Sequence, residues 1–349
     1  MKKTVCKLFI LLFFAVCVFF SLGLVLPGAS DPESDNPPEL LTENGINDDF
    51  GSEFEEWFSK HFAFHHAVTD FFADARLALF SEGNDQVIAG RDDFLFFDDT
   101  TADYIGTNRM TDADITKTAE ALATLNEQVE AAGGKFLFVC APNKNTIYGE
   151  YLPSRYIKST SPTDLDRLYA ELDVLDVPYV DLRPLLTEAK ENTLVYHKRD
   201  THWNGAGAEI AMGGIAEHFS IPMPDYGVPI TVSDFEGDLD ALLFPGKTMY
   251  DENITYNFEG LFVYTSAYAT PMDLVITARS GGTGKLLMFR DSFANAMIPY
   301  AASTFGEIRM ERVTPYQTAQ LETYKPDYVI VEIAERNLRE IAGYITPAE

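Results

Sequence analysis

The segment Phe289-Arg-Asp-Ser-Phe293 contains a serine in a position suited to nucleophilic chemistry. It follows an apolar run that predicts a strand, and it precedes a run of small residues that predicts a helix over 294–302. In an α/β sheet, Ser292 would then lie at the carboxyl end of a strand and beside a helix N-terminus, where ligands bind and free N–H groups can stabilise an oxyanion. The alternative is that Ser292 is an ordinary helix N-cap.

A second segment, Asp200-Thr-His-Trp-Asn204, supplies an acid and an imidazole two residues apart. In extended backbone such residues point to the same side, so Asp200 could accept from His202 Nδ1 and leave Nε2 free as a general base. Alternatively, Asp200 caps the following helix and His202 contacts a backbone carbonyl. Together with Ser292 the pair supplies the nucleophile, base and orienting carboxylate of serine acyl transfer.

Alternating strand and helix patterns indicate the scaffold that must position these residues. Such alternation predicts an α/β fold with a mainly parallel sheet and helices on both faces. The predicted strands are 135–141, 178–182, 285–289, 308–313 and 327–333, and the predicted helices are 111–132, 165–175, 183–191, 206–219 and 336–344.

Three further regions surround this pattern. Apolar residues at helical spacing predict one or two amphipathic helices over 50–80, and residues 87–97 predict a hairpin. Residues 230–278 change to short alternating β segments, which predicts a small β-rich insertion. We therefore assign residues 50–349 to one domain that contains this insertion.

The N-terminal region predicts export. Lys2, Lys3 and Lys7 precede the uncharged residues 8–26, whose length as a helix is about 28 Å, close to the thickness of a bilayer core. Residues 1–29 are therefore either an uncleaved membrane anchor, with membrane contact through residues 8–26, or a cleaved signal peptide. Residues 30–49, rich in Pro, Asp, Glu and Asn, predict an acidic, solvated spacer.

Composition excludes several classes of function. The formal net charge of −28 repels phosphate backbones, so nucleic-acid binding is not expected. Only Cys140 lies in the exported part, which rules out an intramolecular disulfide there. The six histidines show no metal-ligand spacing, including His61, His65 and His66, so we expect no metal site.

At this point the two segments carry a family resemblance. Asp200-Thr-His-Trp-Asn204 followed by Arg290-Asp-Ser-Phe293 resembles the DHHW family and its relatives, the alginate O-acetyltransferases, which are SGNH-hydrolase-like proteins. In these proteins the Asp-x-His element precedes the serine, opposite to the order in ordinary SGNH esterases. The similarity also covers Glu53-Phe-Glu-Glu-Trp-Phe58, residues 87–97, Ala141-Pro-Asn-Lys144 and Val331-Glu-Ile-Ala-Glu-Arg-Asn-Leu338.

The resemblance implies a fold and a chemistry. The fold would be SGNH-hydrolase-like, with Ser292 as nucleophile, His202 as base and Asp200 as its orienting carboxylate. Enzymes of this group move acetyl groups onto exported polysaccharides, commonly with a membrane-bound O-acyltransferase supplying the acetyl group. We therefore expect a glycan substrate, such an acyltransferase as partner, and no cofactor.

One departure from the family pattern leaves the oxyanion donors open. Arg290 stands where the usual Gly-Asp-Ser has glycine, and no match to the separate SGNH oxyanion glycine or asparagine can be found. The candidates are Asn143, Asn145 and the backbone N–H of Ser292. The alternative for the two asparagines is a polar turn after a strand.

Other polar and aromatic residues near the motifs are candidates for substrate binding. Lys144 and Arg290 could hold an anionic sugar or acyl carrier, or form ion pairs with Asp291 or Asp200. We include Asp291 among the substrate-binding candidates. Trp203 could stack on a sugar ring or form a packing wall.

Three functions remain open from the sequence. The leading one is an O-acetyltransferase at the outer face of the cytoplasmic membrane, anchored or secreted, that acts on a cell-envelope or exported polysaccharide. A carbohydrate acetylesterase would use the same triad, because transfer and hydrolysis differ only in whether a sugar hydroxyl or water reaches the acyl-enzyme. A non-catalytic glycan-binding scaffold would keep the fold without the chemistry.

Overall fold

The computed structural model of the chain describes residues 2–21, 36–43, 45–268, 270 and 273–345. It divides into two compact units. The smaller unit comprises Met1–Glu82 with Ala241–Thr248, and the larger one comprises Gly83–Asp240 with Met249–Glu349. The larger unit contains both motifs.

The smaller unit is mainly helical. Its elements before residue 82 are helix α1 (Lys2–Ser21), strands β1 (Leu41–Thr42) and β2 (Gly45–Ile46), and helices α2 (Phe50–His61) and α3 (His65–Phe80). The amphipathic pattern over 50–80 thus forms two helices, as the sequence predicts. Residues 22–35, which include the end of the apolar run and part of the spacer, lie outside the described residues. In the part of the chain that the structure describes, no helix meets both the length and the apolarity that a membrane crossing needs.

The larger unit alternates strands with helices. Its strands are β3 (Val87–Ala89), β4 (Leu95–Phe97), β5 (Lys135–Ala141), β6 (Tyr179–Val180), β7 (Ile230–Glu236), β8 (Tyr250–Thr255), β9 (Val263–Tyr264), β10 (Val275–Ala278), β11 (Lys285–Phe289), β12 (Glu307–Glu311) and β13 (Tyr328–Ala334). Its helices are α4 (Thr101–Ile105), α5 (Asp112–Ala131), α6 (Lys144–Tyr148), α7 (Asp164–Val174), α8 (Leu182–Ala189), α9 (Gly205–Phe219), α11 (Ile298–Thr304), α12 (Gln320–Thr323) and α13 (Ile341–Tyr344), and α10 (Asp238–Leu243) runs from this unit into the smaller one.

A seven-stranded sheet forms the centre of the larger unit, in the order β6-β5-β13-β11-β12-β10-β9. The five strands from β6 to β12 are parallel, and β10 and β9 add an antiparallel edge. The strands β5, β13 and β11 therefore end at the same edge of the sheet. This edge receives the loop after β5, the charged end of β13 and the Arg-Asp-Ser turn after β11.

Successive side chains of the central strands belong alternately to two hydrophobic cores, one on each face of the sheet. In β5, Leu137 and Val139 pack on one side with α8, α9 and α11, whereas Phe136 and Phe138 pack on the other side with α5 and α7. Successive side chains of a strand point to opposite faces, so an almost continuous apolar run buries both faces at once. The predicted α/β sheet with helices on both faces is confirmed.

The turn after β11 differs from the predicted helix over 294–302. The chain first forms a single 3₁₀ turn, Phe293–Asn295, and α11 begins only at Ile298. Pro299 lies in the first turn of α11, where its missing N–H and fixed φ are tolerated. The predicted closing helix likewise divides into the 3₁₀ helix Glu335–Glu340 and the short α13.

The β-rich region divides into two parts. Strands β7 and β8 pair antiparallel as a separate two-stranded sheet, with a register shift between Val232 and Phe235. Strands β9 and β10 instead extend the edge of the central sheet. The predicted hairpin over 87–97 forms from β3 and β4.

A close approach of two backbones connects α9 to β8. The backbone N–H of Gly205 donates to Asn253 Oδ1 (2.9 Å), and a Cβ at Gly205 would lie 1.7 Å from the carbonyl oxygen of Ile254. In the same helix, a Cβ at Gly213 would meet only Met223 Sδ, at 3.9 Å. The first glycine is therefore required by packing and the second is not.

These two glycines make a matched pair for a stability test. We expect Gly205→Ala to lower the free energy of unfolding by about 1–3 kcal/mol, because the methyl group forces the backbones apart. Gly213→Ala should be neutral or stabilising by up to about 1 kcal/mol, since alanine favours helix. Urea unfolding followed by circular dichroism measures both. Equal stability of the two variants would contradict the packing argument.

Candidate active site

Ser292 lies at the carboxyl end of β11 and begins the 3₁₀ turn Phe293–Asn295. Its side chain makes no capping hydrogen bond to the described residues of this turn. Instead, Ser292 Oγ lies 2.8 Å from Nε2 of His202. The structure thus favours a serine directed at an imidazole over a serine that caps a helix.

Asp200 and His202 form the other part of this chain of hydrogen bonds. Asp200 Oδ1 accepts from His202 Nδ1 (2.7 Å) and from the backbone N–H of His202 (2.7 Å), while Asp200 Oδ2 accepts from the backbone N–H of Asp238 (2.7 Å). The cap of α9 is Asn204, whose Oδ1 accepts from the N–H of Gly207, so Asp200 does not cap that helix.

The electrostatics of Asp200 suit an orienting carboxylate. Burial acts to raise its pKa, but the hydrogen bond and charge of His202, together with donation from the backbone of Asp238, hold the pKa well below its usual range. Asp200 is therefore ionised at neutral pH. An ionised acceptor at Nδ1 fixes the tautomer in which Nε2 can take the Ser292 proton.

A second carboxylate, that of Asp238, lies beside the pair. It accepts from the backbone N–H of Thr201 (2.7 Å) and from its hydroxyl (2.5 Å), and its Oδ2 lies 3.6 Å from His202 Nδ1. Ligand atoms of Asp200, His202 and Asp238 lie within 4.8 Å of one another, so this group could also hold a metal ion. Their lone pairs already accept protein N–H and O–H donors, which fits a hydrogen-bonded network better than a metal centre.

Lys144 holds the loop that carries Asp200. Its Nζ donates to the backbone carbonyls of His197 (3.2 Å), Lys198 (2.9 Å) and Asp200 (2.6 Å). Lys144 contacts the carbonyl of Asp200 and not its carboxylate, so the predicted ion pair is not formed. Lys144 also does not line the cavity of Ser292. Burial lowers the pKa of Lys144 to about 7. This lysine helps to fix a segment of irregular backbone.

The two asparagines predicted as oxyanion donors do not line the cavity of Ser292. Asn145 Nδ2 donates to the carbonyl of Thr100 (2.9 Å), and Asn143 N–H donates to Glu335 Oε2 (2.8 Å). Asn143 lines a separate polar cavity of about 590 Å³. This corrects the sequence prediction for Asn143 and Asn145. They follow the same strand end as expected, but neither lines the cavity of Ser292.

The residues before Ser292 fix its turn. The carboxylate of Asp291 accepts from the backbone N–H groups of Phe293 (2.9 Å) and Ala334 (2.7 Å). Arg290 is buried, and its Nη1 donates to the carbonyl of Asp291 (3.0 Å) and to Asn295 Oδ1 (2.6 Å). The structure therefore gives Asp291 and Arg290 roles inside the turn, and neither residue lines the cavity of Ser292.

A buried carboxyl group lies beneath the same turn. Glu332 on β13 is fully buried and accepts from the backbone N–H of Asp291 (3.2 Å). Burial raises its pKa well above the usual range, with Asp291 adding to the effect. Nothing in the sequence pattern around Glu332 marks it as a site residue.

A cavity of about 310 Å³ opens at Ser292. Most of its wall is apolar, and part of it comes from the β7–β8 sheet. The lining residues are His197, His202, Trp203, Gly205, Phe235, Asn253, Ile254, Thr255, Phe258, Ser292, Phe293, Asn295, Ala296, Pro299 and Tyr300. This volume is at the lower end of the range for small-molecule sites.

Trp203 forms part of the cavity wall as a packing residue. It is almost fully buried, and its Nε1 donates to the carbonyl of Phe293 (2.8 Å). Its ring also packs edge-on against the ring of Phe293 at 5.3 Å. Of the two roles left open by the sequence, the structure favours the packing wall.

Asn295, Asn253, Phe235 and His197 are among the residues of this wall that were not predicted from the sequence. The His197 ring stacks on Phe235 at 3.7 Å, and burial lowers the pKa of His197 to about 4, so the ring is neutral at pH 7. Asn253 and Phe235 belong to β8 and β7, and nothing in their spacing points to Ser292. Only Asn295 carried a signal, since it lies one 3₁₀ turn after the serine.

Comparison with known proteins finds relatives of this chain. The family described as "SGNH hydrolase-like domain, acetyltransferase AlgX" matches residues 87–229. The chain is 23% identical over 235 residues to a probable alginate O-acetylase AlgJ of Pseudomonas syringae pv. tomato. The matched region covers 65% of this chain and 59% of that protein. The chain thus spans less than two thirds of the length of this relative.

Solved structures show the same fold. A DHHW family protein from Eubacterium siraeum superposes with a TM-score of 0.52 at 19% identity. The superposition covers 67% of this chain and 90% of that protein. The O-acetyltransferase domain of Pseudomonas putida AlgJ superposes with a TM-score of 0.50 at 19% identity. The superposition covers 72% of this chain and 92% of that domain. The resemblance predicted from the two motifs is confirmed, and the chain has an SGNH-hydrolase-like α/β fold.

The buried Lys144 leads to a pH-dependent prediction. Its pKa is about 7 in the folded state and about 10.4 in an unfolded chain, so the unfolded state binds more protons between these values. The free energy of unfolding of the wild type should therefore rise with pH from about 7 to 10 relative to that of Lys144→Met, by at most about 1.4 kcal/mol per pH unit. Urea unfolding at several pH values measures the difference.

The exposed Lys117 supplies the control for this measurement. Lys117→Met should follow the wild type at every pH, because that ammonium group stays in water in both states. Parallel curves for the wild type and Lys144→Met, or a difference that falls as pH rises, would show that Lys144 does not lose its proton in the fold.

Proposed function

We propose that this protein is an O-acetyltransferase that transfers an acetyl group through Ser292 to a glycan hydroxyl outside the cytoplasmic membrane. The observation that supports this most directly is the continuous chain Ser292 Oγ–His202 Nε2 (2.8 Å) and His202 Nδ1–Asp200 Oδ1 (2.7 Å). A nucleophile in hydrogen-bond reach of a base, with the base oriented by a buried carboxylate, is the arrangement that acyl transfer requires.

In the first half-reaction, Ser292 Oγ attacks the carbonyl carbon of the acetyl donor while His202 Nε2 takes the Oγ proton. The tetrahedral intermediate collapses, the bond to the donor breaks, and the imidazolium returns the proton to the leaving group. The product is acetyl-Ser292. Asp200 stays ionised and stabilises the imidazolium at Nδ1.

In the second half-reaction, a sugar hydroxyl takes the place of the leaving group. His202 removes the hydroxyl proton as the oxygen attacks acetyl-Ser292, and the same proton returns to Ser292 Oγ when the ester bond breaks. Water in the same position would make the protein an acetylesterase. The largely apolar wall beside Ser292 supports transfer, because it limits the ordered water that can reach the acyl group.

Similarity to probable alginate O-acetylases supports both the acetyl group and the glycan acceptor. The 2.8 Å contact between Ser292 and His202 supports an enzyme over a non-catalytic scaffold. The location outside the membrane rests on Lys2, Lys3 and Lys7 before the uncharged residues 8–26. This segment would anchor the domain or be cleaved, and a membrane-bound O-acyltransferase would supply acetyl groups.

Substitution of the triad tests the proposal. In the full-length chain, Ser292→Ala and His202→Ala should each lower the rate of acetate release from an activated acetyl ester by about 10⁴-fold or more, because nucleophile and base act as one unit. Asp200→Asn should lose a similar factor through the wrong tautomer of His202. Initial rates measured by absorbance of the leaving group give the comparison.

His218→Ala provides the matched control, since this histidine lies at the exposed end of α9. It should keep the wild-type rate, which would show that surface imidazole does not cleave the ester. A Ser292→Ala variant that stays as active as the wild type, with an unchanged circular dichroism spectrum, would overturn the proposal.

Transfer and hydrolysis are separated by the fate of the acetyl group. With an acetyl ester as donor and an exported-type oligosaccharide as acceptor, we expect mass increments of one acetyl group on the sugar. These increments should disappear with Ser292→Ala. Release of free acetate alone, over a series of neutral and acidic oligosaccharides, would instead identify an acetylesterase.

A further inference from the structure

We propose that the side-chain amide of Asn295 is an oxyanion donor for the acyl group on Ser292, and that Arg290 orients this amide. The inference rests on the proposed acyl transfer and names the group that stabilises its tetrahedral intermediate. It concerns two residues of one turn, Arg290 and Asn295, which lie on either side of the nucleophile.

The geometry of the turn places Asn295 next to the nucleophile. The backbone N–H of Asn295 donates to the carbonyl of Ser292 (3.1 Å), which closes a 3₁₀ turn. In a 3₁₀ turn the side chains at positions i and i+3 lie one above the other on the same side. Accordingly, both residues line the cavity that holds His202.

Arg290 determines which end of the amide faces the cavity. Its Nη1 lies 2.6 Å from the side chain of Asn295, and because guanidinium only donates hydrogen bonds, the bonded atom must be Oδ1. The Nδ2 group therefore points away from Arg290. Among the described residues, none accepts a hydrogen bond from this Nδ2, and it is not enclosed by protein.

The backbone N–H of Ser292 supplies a second donor at the same place. Asp291 and Phe293, its neighbours, donate their N–H groups to Glu332 Oε2 and to Asp291 Oδ1. The N–H of Ser292 has no acceptor within the described part of the chain. Two N–H groups without a protein acceptor among the described residues thus belong to Ser292 and Asn295, which both line the cavity, and such donors are what a developing oxyanion requires.

The chemical step is balanced without a proton from Asn295. When Ser292 Oγ attacks, the carbonyl π electrons move to the acyl oxygen, and the Oγ proton goes to His202. The acyl oxygen then carries the negative charge and accepts from Asn295 Nδ2 and from the N–H of Ser292. When the intermediate collapses, the electrons return to the carbonyl and both hydrogen bonds weaken.

Arg290 acts as a positioning residue in this scheme. It is buried and bound to the Asp291 carbonyl (3.0 Å), so it holds Oδ1 of Asn295 in a fixed direction. Its positive charge also polarises the amide, which makes Nδ2 a stronger donor. An arginine at this position thus has a use that a glycine could not provide.

Kinetics of the full-length chain with an activated acetyl ester test the assignment. Asn295→Ala and the similarly sized Asn295→Asp should each lower kcat by about 10²–10³-fold with little change in KM, since the lost hydrogen bond forms only in the transition state. Asn253→Ala is the matched control, because Asn253 also lines the cavity, but from β8 and with its Oδ1 accepting from the N–H of Gly205. It should change KM more than kcat.

A double-mutant cycle tests the role of Arg290. Arg290→Met should lower kcat by up to about 10²-fold in the wild-type background, and should have no further effect in Asn295→Ala, because Arg290 acts through Asn295. Additive losses, or Asn295 variants that change KM alone, would overturn the inference. Thermal unfolding of each variant identifies those that fail to fold, and Arg290→Lys provides a charged variant for the same cycle.

The two proposals fail in different ways. If Ser292→Ala keeps its activity, the proposed function is wrong. If Ser292→Ala is inactive while folded Asn295→Ala and Asn295→Asp keep the wild-type kcat, acyl transfer stands and the oxyanion assignment alone is wrong.

Discussion

The site depends on one physical constraint, which is that the carboxylate of Asp200 must stay ionised while buried. Burial alone favours the neutral acid, so the fold surrounds this group with donors: the imidazole and N–H of His202 and the N–H of Asp238. The segment that carries it has irregular backbone, and Lys144 satisfies three of its carbonyls. Without these contacts, neither the tautomer nor the position of His202 would be fixed.

The central sheet brings this Asp200–His202 arrangement next to Ser292. Parallel strands β5, β13 and β11 end at one edge, so Lys144, Glu332 and Ser292 arise from distant parts of the sequence and meet there. Each also fixes backbone: Lys144 holds the Asp200 loop, and Glu332 accepts from the N–H of Asp291. The polar groups at this edge therefore serve mostly to hold loops in place, and few of them face the cavity.

The strands, the fold class and the three residues of the triad could be predicted from the sequence, because each depends on a local pattern of residue types. Apolar runs identified β5, β11 and β13, and the fold class followed from their alternation with helices. The Asp-x-His spacing and the serine after β11 identified the three residues that the structure brings together. The helix after Ser292 was predicted wrongly in its first part, because helical propensity does not show where Pro299 restarts the helix after a 3₁₀ turn.

The directions of side chains in loops could not be predicted in this way. Asn143 and Asn145 follow a strand that ends at the correct edge, yet the Asn145 amide donates to Thr100 and Asn143 lines a separate cavity. Asn295 lies three residues after Ser292, a spacing at which side chains are neighbours in an α-helix and eclipsed in a 3₁₀ turn, so its place beside the serine could have been expected from the spacing. The same turn explains why Arg290 can replace glycine. Its buried guanidinium donates to Asn295 Oδ1 and does not line the cavity, so its bulk does not occupy the space beside Ser292.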